Sequence, residues 1–384
     1  MLSTFSFPTR IRFGPGALEE LPDLVREHET TSVSIITDPG LVEAGIVDRT
    51  FKLLDRVLSV SVFSDVSPNP DEDCIEAAAR HLREHDAGLV IGLGGGSAID
   101  TAKIAAFRLN HREDLTHYKI QTGGERYMTE PVLPIIAIPT TAGTGSEVGR
   151  SGVVTLRASN RKAVICGAKL LPRIALCDPE LTLGLPRHIT AATGMDALTH
   201  NIEAYLSIAF HPICDAIALG GIRRVAQSLR TAVRSGHDLD ARSNMLLASS
   251  MGAIAFQKDL GVAHSLAHPL STIAGIPHGL ANAIVLPHVL EFNRQVAADR
   301  LKDVAQAMGR QTDGLSNAAA ASLAVTAVQD LAGDVDIPAT LSAVGVSHDQ
   351  IPRMVEQALE DPNHRTNPRP CNESDLHDLY AAAM

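Results

Sequence analysis

Leu89-Val90-Ile91-Gly92-Leu93-Gly94-Gly95-Gly96-Ser97-Ala98-Ile99-Asp100-Thr101-Ala102-Lys103 passes from an apolar run through glycines into a helix-forming segment. The short aliphatic run has the composition of a buried strand. The glycines let backbone approach a phosphate, since no Cβ stands in the way. A helix starting behind them turns its unpaired N–H groups and the positive end of its dipole toward an anion. Ser97 is placed to cap that helix, with Asp100 three positions on in a capping-box position. The pattern is not GxGxxG, because Ser97 stands where the last glycine belongs, and no Gly-Lys-Ser/Thr makes it a P-loop. Gly94, Gly95, Gly96 and Ser97 are candidates to line a phosphate.

Outward from this stretch, the first half alternates between two periodicities. Short Val/Ile-rich runs at Ser32–Ile36, Val57–Phe63, Gly88–Gly92 and Leu133–Ile138 each stop at Asp, Ser, Gly or Pro. Between them lie helix-like segments at Ala17–Glu27, Pro70–Glu84 and Ser97–Leu109. Strand and helix in alternation predict βαβ units and a parallel sheet. Further strand-like pieces follow at Gly152–Leu156, Ala163–Cys166 and Ile174–Cys177. After Leu185-Pro186 the texture changes to Ala/Leu-rich amphipathic stretches: Ile189–Ile208, Asp215–Ser235, Asp240–Gln257, Asn317–Ala332 and Asp375–Ala383. The expected organisation is therefore an α/β parallel-sheet domain over 1–185 and an all-helical domain over 186–384.

A second loop, Pro139-Thr140-Thr141-Ala142-Gly143-Thr144-Gly145-Ser146-Glu147, also follows a strand-like run. Its hydroxyls and backbone N–H groups suit a phosphate or ribose. Two such loops at adjacent strand ends point to a dinucleotide. Asp38 closes the strand Ser34-Ile35-Ile36-Thr37 ahead of Pro39-Gly40. A carboxylate there can accept from a ribose diol and repel a 2′-phosphate, although an Asp before Pro-Gly is also a common turn former.

Composition narrows the partners. Of 384 residues 45% are hydrophobic and 20% charged, and the formal charge is −11, which disfavours nucleic acid and anionic membrane surfaces. Five scattered cysteines without a CxxC fit reduced thiols in a cytoplasmic setting. No secretory signal pattern opens the chain and no run reaches the length of a membrane helix.

The helical half carries a second chemistry. Asp196 and His200 stand at i and i+4, as do His264 and His268, and His278 follows Ile276-Pro277. On a helix that spacing sets two side chains on one face, close enough to share an ion. A carboxylate with three imidazoles suits Fe(II) or Zn(II) and leaves positions open for a substrate oxygen, whereas Mg and Ca prefer oxygen ligands.

In combination these segments resemble the iron-dependent (group III) alcohol dehydrogenase family. Gly94-Gly95-Gly96-Ser97 through Asp100 and Lys103 is similar to its GGGSxxDxAK loop, and Pro139 to Val148 to its second loop. Gly194-Met-Asp196 to Glu203, Gly261 to Leu270, and Pro277-His278-Gly279 are similar to its metal segments. The likeness runs from Arg12-Phe13-Gly14 to Asn367-Pro368-Arg369-Pro370. It implies a Rossmann-like N-terminal domain and an all-α C-terminal domain, a dehydroquinate synthase-like architecture with the active site in the cleft between them, and a homodimer. It implies Asp196, His200, His264 and His278 as metal ligands, with His268 facing the substrate as a proton relay. It further implies NAD lined by Asp38, Asn69, Gly94, Gly95, Gly96, Ser97, Thr140, Thr141, Thr144, Lys162 and Leu181. Gly149-Arg150-Ser151 departs from the Thr-Arg-aromatic run usual after the second loop, which bears on the nicotinamide end and the substrate pocket.

The implied activity is reversible hydride transfer between a small alcohol or hydroxy acid and NAD, with the metal as Lewis acid. Glycerol dehydrogenase-like and dehydroquinate synthase-like enzymes share NAD and a metal. Maleylacetate reductases share the fold without the metal residues. A catalytically silent NAD- and metal-binding sensor is the alternative from another class.

Overall fold

The computed structural model of the protein describes residues 7, 9–55, 58–159 and 161–384. Chain contacts group residues 7–141 and 145–184 into one compact unit, and 142–144 with 185–384 into a second.

The first unit is built on strands β1 (Arg10–Phe13), β2 (Ser32–Ile36), β3 (Ser59–Phe63), β4 (Leu89–Gly94), β5 (Ile135–Pro139), β6 (Ser151–Leu156), β7 (Arg161–Cys166) and β8 (Ile174–Cys177). Its helices are α1 (Leu21–Arg26), α2 (Pro39–Glu43), α3 (Ile46–Leu54), α4 (Glu72–Glu84) and α5 (Gly96–Arg108). Six strands form one parallel sheet in the order β1-β8-β5-β4-β2-β3. The strands β2 and β4 alternate their side chains between two cores, as a sheet covered on both faces requires. Val33, Ile35, Leu89, Ile91 and Leu93 pack on one face with Leu21 and Leu54 from α1 and α3. Ile36 and Val90 pack on the other with Leu82 from α4 and Ala102 and Ala106 from α5. The expected parallel α/β sheet is what forms.

Two sequence expectations shift in detail. The strand-like pieces at 152–156 and 163–166 stand outside the main sheet, as the antiparallel pair β6–β7. They pack through Val154, Leu156 and Ile165 against Ile104 and Phe107 of α5. Val57, which opens the run expected as β3, lies outside the described residues, and the strand is seen from Ser59.

The second unit is helical: α6 (Arg187–Leu206), α7 (Pro212–Arg234), α8 (Leu239–Ala255), α9 (Val262–Ile273), α10 (His278–Asn293), α11 (Ala298–Ala307), α12 (Asn317–Asp334), α13 (Ile351–Glu360) and α14 (Glu373–Ala383). Helix α6 is its axis. Every residue from Gly194 to Leu206 is buried, the pattern of a helix surrounded on all sides, and α7, α8, α10 and α11 pack on it. Helix α9 packs in turn on α10 and α13. No helix among the described residues is long and apolar enough to cross a membrane.

Candidate functional site

Burial of α6 on all sides makes any polar group on it either paired or costly. Asp196 and His200 stand one turn apart on this helix, both buried. His264 lies in the first turn of α9, and His278 is the first residue of α10. Close approach of the helices depends on glycine. A Cβ on Gly279 would stand 2.5 Å from the Ala192 carbonyl oxygen and 3.2 Å from the Asp196 Cβ, so α10 seats against α6 only without one.

The four residues converge. One ligand atom from each of Asp196, His200, His264 and His278 lies within 4.8 Å of the others. An ion about 2.0–2.2 Å from each donor needs them within about 4.4 Å of one another, so a small contraction closes the set. Asp196 Oδ1 is 3.7 Å from His278 Nε2, and Asp196 Oδ2 is 4.0 Å from His200 Nδ1. The ring of His264 lies 4.7 Å from that of His200 and 5.3 Å from that of His278, centroid to centroid.

Hydrogen bonds outside the cluster set the imidazole tautomers. His264 Nδ1 donates to Glu203 Oε2 at 2.6 Å, which leaves its Nε2 as a lone-pair donor. His200 Nδ1 donates to the Gly143 carbonyl at 3.3 Å, with the same effect. Burial holds His200 neutral down to about pH 4. Burial opposes a charge on His264 as well, but its Glu203 partner outweighs this and raises its pKa. Asp196 and Glu203 are both nearly inaccessible, and their ion pairs among the described residues are to histidines. Two buried carboxylates lie among these imidazoles, of which burial keeps His200 neutral, and such a concentration of acceptors suits a cation. The donor set of one carboxylate and three imidazoles fits Fe(II) or Zn(II).

Glu203 carries no motif spacing that marks it as functional, yet it does two things. Besides fixing His264, its Oε1 accepts from the Ala263 N–H at 2.7 Å, at the open start of α9. A Cβ on Gly261 would meet that same oxygen at 2.7 Å. Sequence reasoning also passed over Asp361. His268 lies beside the cluster, its ring stacked on that of His278 at 5.3 Å. Its Nδ1 is held by Asp361 Oδ2 at 2.6 Å, and it is one-fifth exposed where His264 is nearly sealed.

In the parallel-sheet unit the two loops begin at the carboxyl ends of the neighbouring strands β4 and β5. Gly94 has φ +149°, and a Cβ there would stand 2.7 Å from Ala98 Cβ and 3.2 Å from Asp38 Oδ2. Asp38 Oδ1 accepts from the Leu41 N–H at 3.3 Å, capping α2, so one carboxylate oxygen has a turn role while the other faces Gly94. Thr140 N donates to the Gly94 carbonyl at 3.0 Å, and a Cβ on Gly95 would meet Thr141 Oγ1 at 3.3 Å. Asp38, Gly94, Gly95, Thr140 and Thr141 are thus brought together.

Ser97 corrects the capping expectation. The N-cap is Gly95 and the helix begins at Gly96. Ser97 Oγ donates instead to the Pro68 carbonyl at 2.6 Å, which ties the turn carrying exposed Asn69 to the start of α5. Asp100 serves the second loop, accepting from Ser146 Oγ at 2.5 Å and the Val153 N–H at 2.9 Å. Buried Lys103 completes that clamp by donating to the Ser146 and Ser151 carbonyls at 2.6 and 2.8 Å. Three other candidates have these places, and the charge of Lys162 also acts on Asp100. Thr144 clusters with the helical unit, Lys162 pairs with Thr155 across β6–β7, and Leu181 is buried in the sheet core.

Comparison with known proteins agrees with this geometry. Residues 8–179 match the model of iron-containing alcohol dehydrogenases, and residues 190–384 that of the C-terminal part of the Fe-containing alcohol dehydrogenase family. The chain is 39% identical over 376 residues to the 1,3-propanediol dehydrogenase of Citrobacter freundii, covering 97% of this chain and 96% of the relative. It is 41% identical over 359 residues to the 4-hydroxybutyrate dehydrogenase of Cupriavidus necator, covering 91% of each. The crystal structure of sulfoacetaldehyde reductase from Bifidobacterium kashiwanohense in complex with NAD+ superposes with a TM-score of 0.88 at 32% identity, over 100% of this chain and 99% of that one. The chain belongs to the iron-containing alcohol dehydrogenase family.

Proposed function

We propose that this chain is an NAD-dependent, iron-dependent oxidoreductase that interconverts short primary alcohols and their aldehydes. The convergence of Asp196, His200, His264 and His278 in a chain of this family carries the reading. The parallel-sheet unit takes the dinucleotide, through Asp38, Gly94, Gly95, Gly96, Ser97, Thr140 and Thr141. The helical unit takes the metal and the substrate, and Fe(II) is the preferred ion with Zn(II) able to occupy the same donors.

A divalent ion held by the four residues supplies Lewis acidity to a substrate oxygen, and NAD supplies the hydride acceptor. The chain's own part is positioning and proton handling. Glu203 and the Gly143 carbonyl engage the Nδ1 atoms of His264 and His200, so both rings turn Nε2 toward the ion, and His264, whose pKa Glu203 raises, would release its Nε2 proton as the ion binds. His268 is fixed by Asp361 at Nδ1, which leaves Nε2 to exchange a proton with the alcohol or its water. Asp38 presents a carboxylate where a ribose diol is accepted and a 2′-phosphate repelled, which favours NAD over NADP.

Relatives acting on 1,3-propanediol and 4-hydroxybutyrate share a short linear primary alcohol with oxygen at its far end. That class is the proposed substrate. We take the protein to work as a homodimer in the cytoplasm, and the lack of a disulfide among its described cysteines supports that compartment. Anaerobic reconstitution with Fe(II) or Zn(II), followed by NADH absorbance across diols, ω-hydroxy acids and simple alcohols, tests the reading. Turnover on terminally oxygenated C3–C4 alcohols, abolished by chelation, is expected. Binding of NAD and metal with no turnover on any alcohol or aldehyde would make the protein a sensor instead.

A further inference from the structure

Asn282 is fully buried on α10, one turn beyond His278. Its amide nitrogen lies 2.8 Å from Asp196 Oδ1, 3.3 Å from His264 Nε2 and 3.3 Å from His278 Nε2. It thus touches an atom from each of three of the four converging residues. The opposite amide orientation would aim an oxygen at a carboxylate and two imidazole lone pairs, so the acceptors themselves dictate which end points inward. Its Oδ1 has no hydrogen-bond partner among the described residues, and an orphaned polar atom on a wholly buried side chain asks for a functional reason. A leucine would fill the same space without leaving that orphan.

From this geometry we infer that Asn282 is a positioning residue of the metal centre, holding Asp196 by an amide hydrogen bond in the orientation that meets the ion. The inference rests on the reading that Asp196, His200, His264 and His278 bind a metal. An amide has two hydrogens, and here three acceptors face them. The shortest contact, to the charged carboxylate, is the strongest of the three. The imidazole contacts are longer, and the histidine lone pairs are what an ion claims on entry. The bond to Asp196 can persist beside the ion, because a carboxylate has two oxygens with about four lone-pair sites. Asn282 therefore gives the aspartate what Glu203 gives His264: an outer partner that sets its direction before the ion arrives. Position 282 is one turn from His278 on the same helix, so a single rigid element places the amide and one imidazole together.

The test compares the unaltered protein with Asn282→Leu and Asn282→Ala, using Zn(II) affinity by competition with a chromophoric chelator and the visible spectrum of the Co(II)-substituted protein. Circular dichroism of the metal-free proteins and NAD affinity serve as fold readouts. Both variants are expected to bind Zn(II) about 10–100-fold more weakly, with a changed Co(II) spectrum, unchanged circular dichroism and NAD affinity within twofold. Zn(II) affinity within twofold of the unaltered protein in both variants overturns the inference. So does loss of the folded circular dichroism signal in both, which makes the amide a structural element of the core. Failure of the unaltered protein to bind Zn(II) or Fe(II) at one equivalent overturns the metal reading itself, a result distinct from either.

Discussion

His268 Nδ1 lies 2.6 Å from Asp361 Oδ2, across 93 residues of sequence. The other oxygen of Asp361 accepts from Ser265 Oγ and from the Asn363 N–H, each at 2.9 Å. A carboxylate held on both oxygens fixes the ring plane and tautomer of its histidine partner, as in other carboxylate–imidazole pairs. Asp361→Asn keeps the shape but lets the amide offer the wrong group to Nδ1. The expected result is a fall in kcat of about 10–100-fold, in the range of general acid–base contributions, with metal content unchanged. His268→Ala should lose at least as much, and adding Asp361→Asn to it should cost little more, because the two residues act as one unit. Steady-state kinetics with metal analysis decides this: loss of metal in parallel with kcat in either single variant would sink the proton-relay role.

The same pair gives a pH signature. Burial pushes the Asp361 carboxyl up, but His268 and the hydrogen bonds from Asn363 and Ser265 outweigh it and hold the group well below the usual carboxylate range. A folded-state pKa depressed below the unfolded value of about 3.9 contributes stability above that value. The contribution is lost as pH falls through the folded value. The unaltered protein should therefore lose stability more steeply below about pH 4 than Asp361→Asn does. Thermal melts from pH 5 downward measure it, and parallel acid limbs for the two proteins would contradict the assignment.

Glu203 offers a test independent of the proton path. It binds His264 Nδ1 and the Ala263 N–H with different oxygens, so Glu203→Gln leaves the space filled but weakens the charge-assisted bond. Metal affinity should fall about 10–100-fold with the helical signal retained. Chelator competition yields the number, and an affinity within twofold of the unaltered protein would show that His264 needs no outer carboxylate.

Much of the fold was legible because burial and periodicity coincide. Ser32–Ile36 and Ile174–Cys177 were bounded correctly, since each is a short, mostly buried run carrying Val, Ile or Leu that ends within two residues of an Asp-Pro turn. Strand β1 was not, because Arg10–Phe13 alternates basic and apolar residues and is exposed throughout. Helices α9 and α10 carry Pro269 and Pro287 in their interiors, and proline there masks a helical pattern. At the metal cluster the i,i+4 spacing and the family resemblance together named the four converging residues. Glu203, Asp361 and Asn282 escaped notice because each reaches its partner across 61, 93 and 86 residues respectively. Local periodicity records none of these long-range contacts, although Asn282 also meets His278 one turn away on α10. Ser97 was misread for a related reason: its hydroxyl serves the distant Pro68 carbonyl rather than its own helix.

Asp38 separates charge from helix capping. Its Oδ1 caps α2 and its Oδ2 faces Gly94. Asp38→Asn retains a side chain that can cap while removing the charge that repels a 2′-phosphate. The ratio of kcat/KM for NADP over NAD should rise by roughly tenfold, equivalent to about 1.4 kcal/mol of relieved repulsion. An unchanged ratio with both cofactors would place the ribose elsewhere.

Gly279 ties the packing of the helical unit to its metal cluster. A methyl group there would stand 2.5 Å from the Ala192 carbonyl oxygen, 3.0 Å from its carbonyl carbon and 3.2 Å from Asp196 Cβ. Two of these neighbours are backbone within α6, so neither can turn aside as a flexible side chain would. Relief has to come from moving α10, and His278 is the residue immediately before Gly279. Gly279→Ala should therefore do two things that a helix-propensity argument alone would not predict. Alanine is the better helix former by about 0.8–1.0 kcal/mol, yet overpacking of this kind costs about 1–3 kcal/mol, so the metal-free protein should be less stable. Metal affinity should also fall, because displacement of α10 draws His278 away from Asp196. Melting temperature and Zn(II) affinity measured together separate the outcomes. A stabilised variant with undiminished affinity would mean that α10 has room to spare against α6, and that the cluster does not depend on this contact.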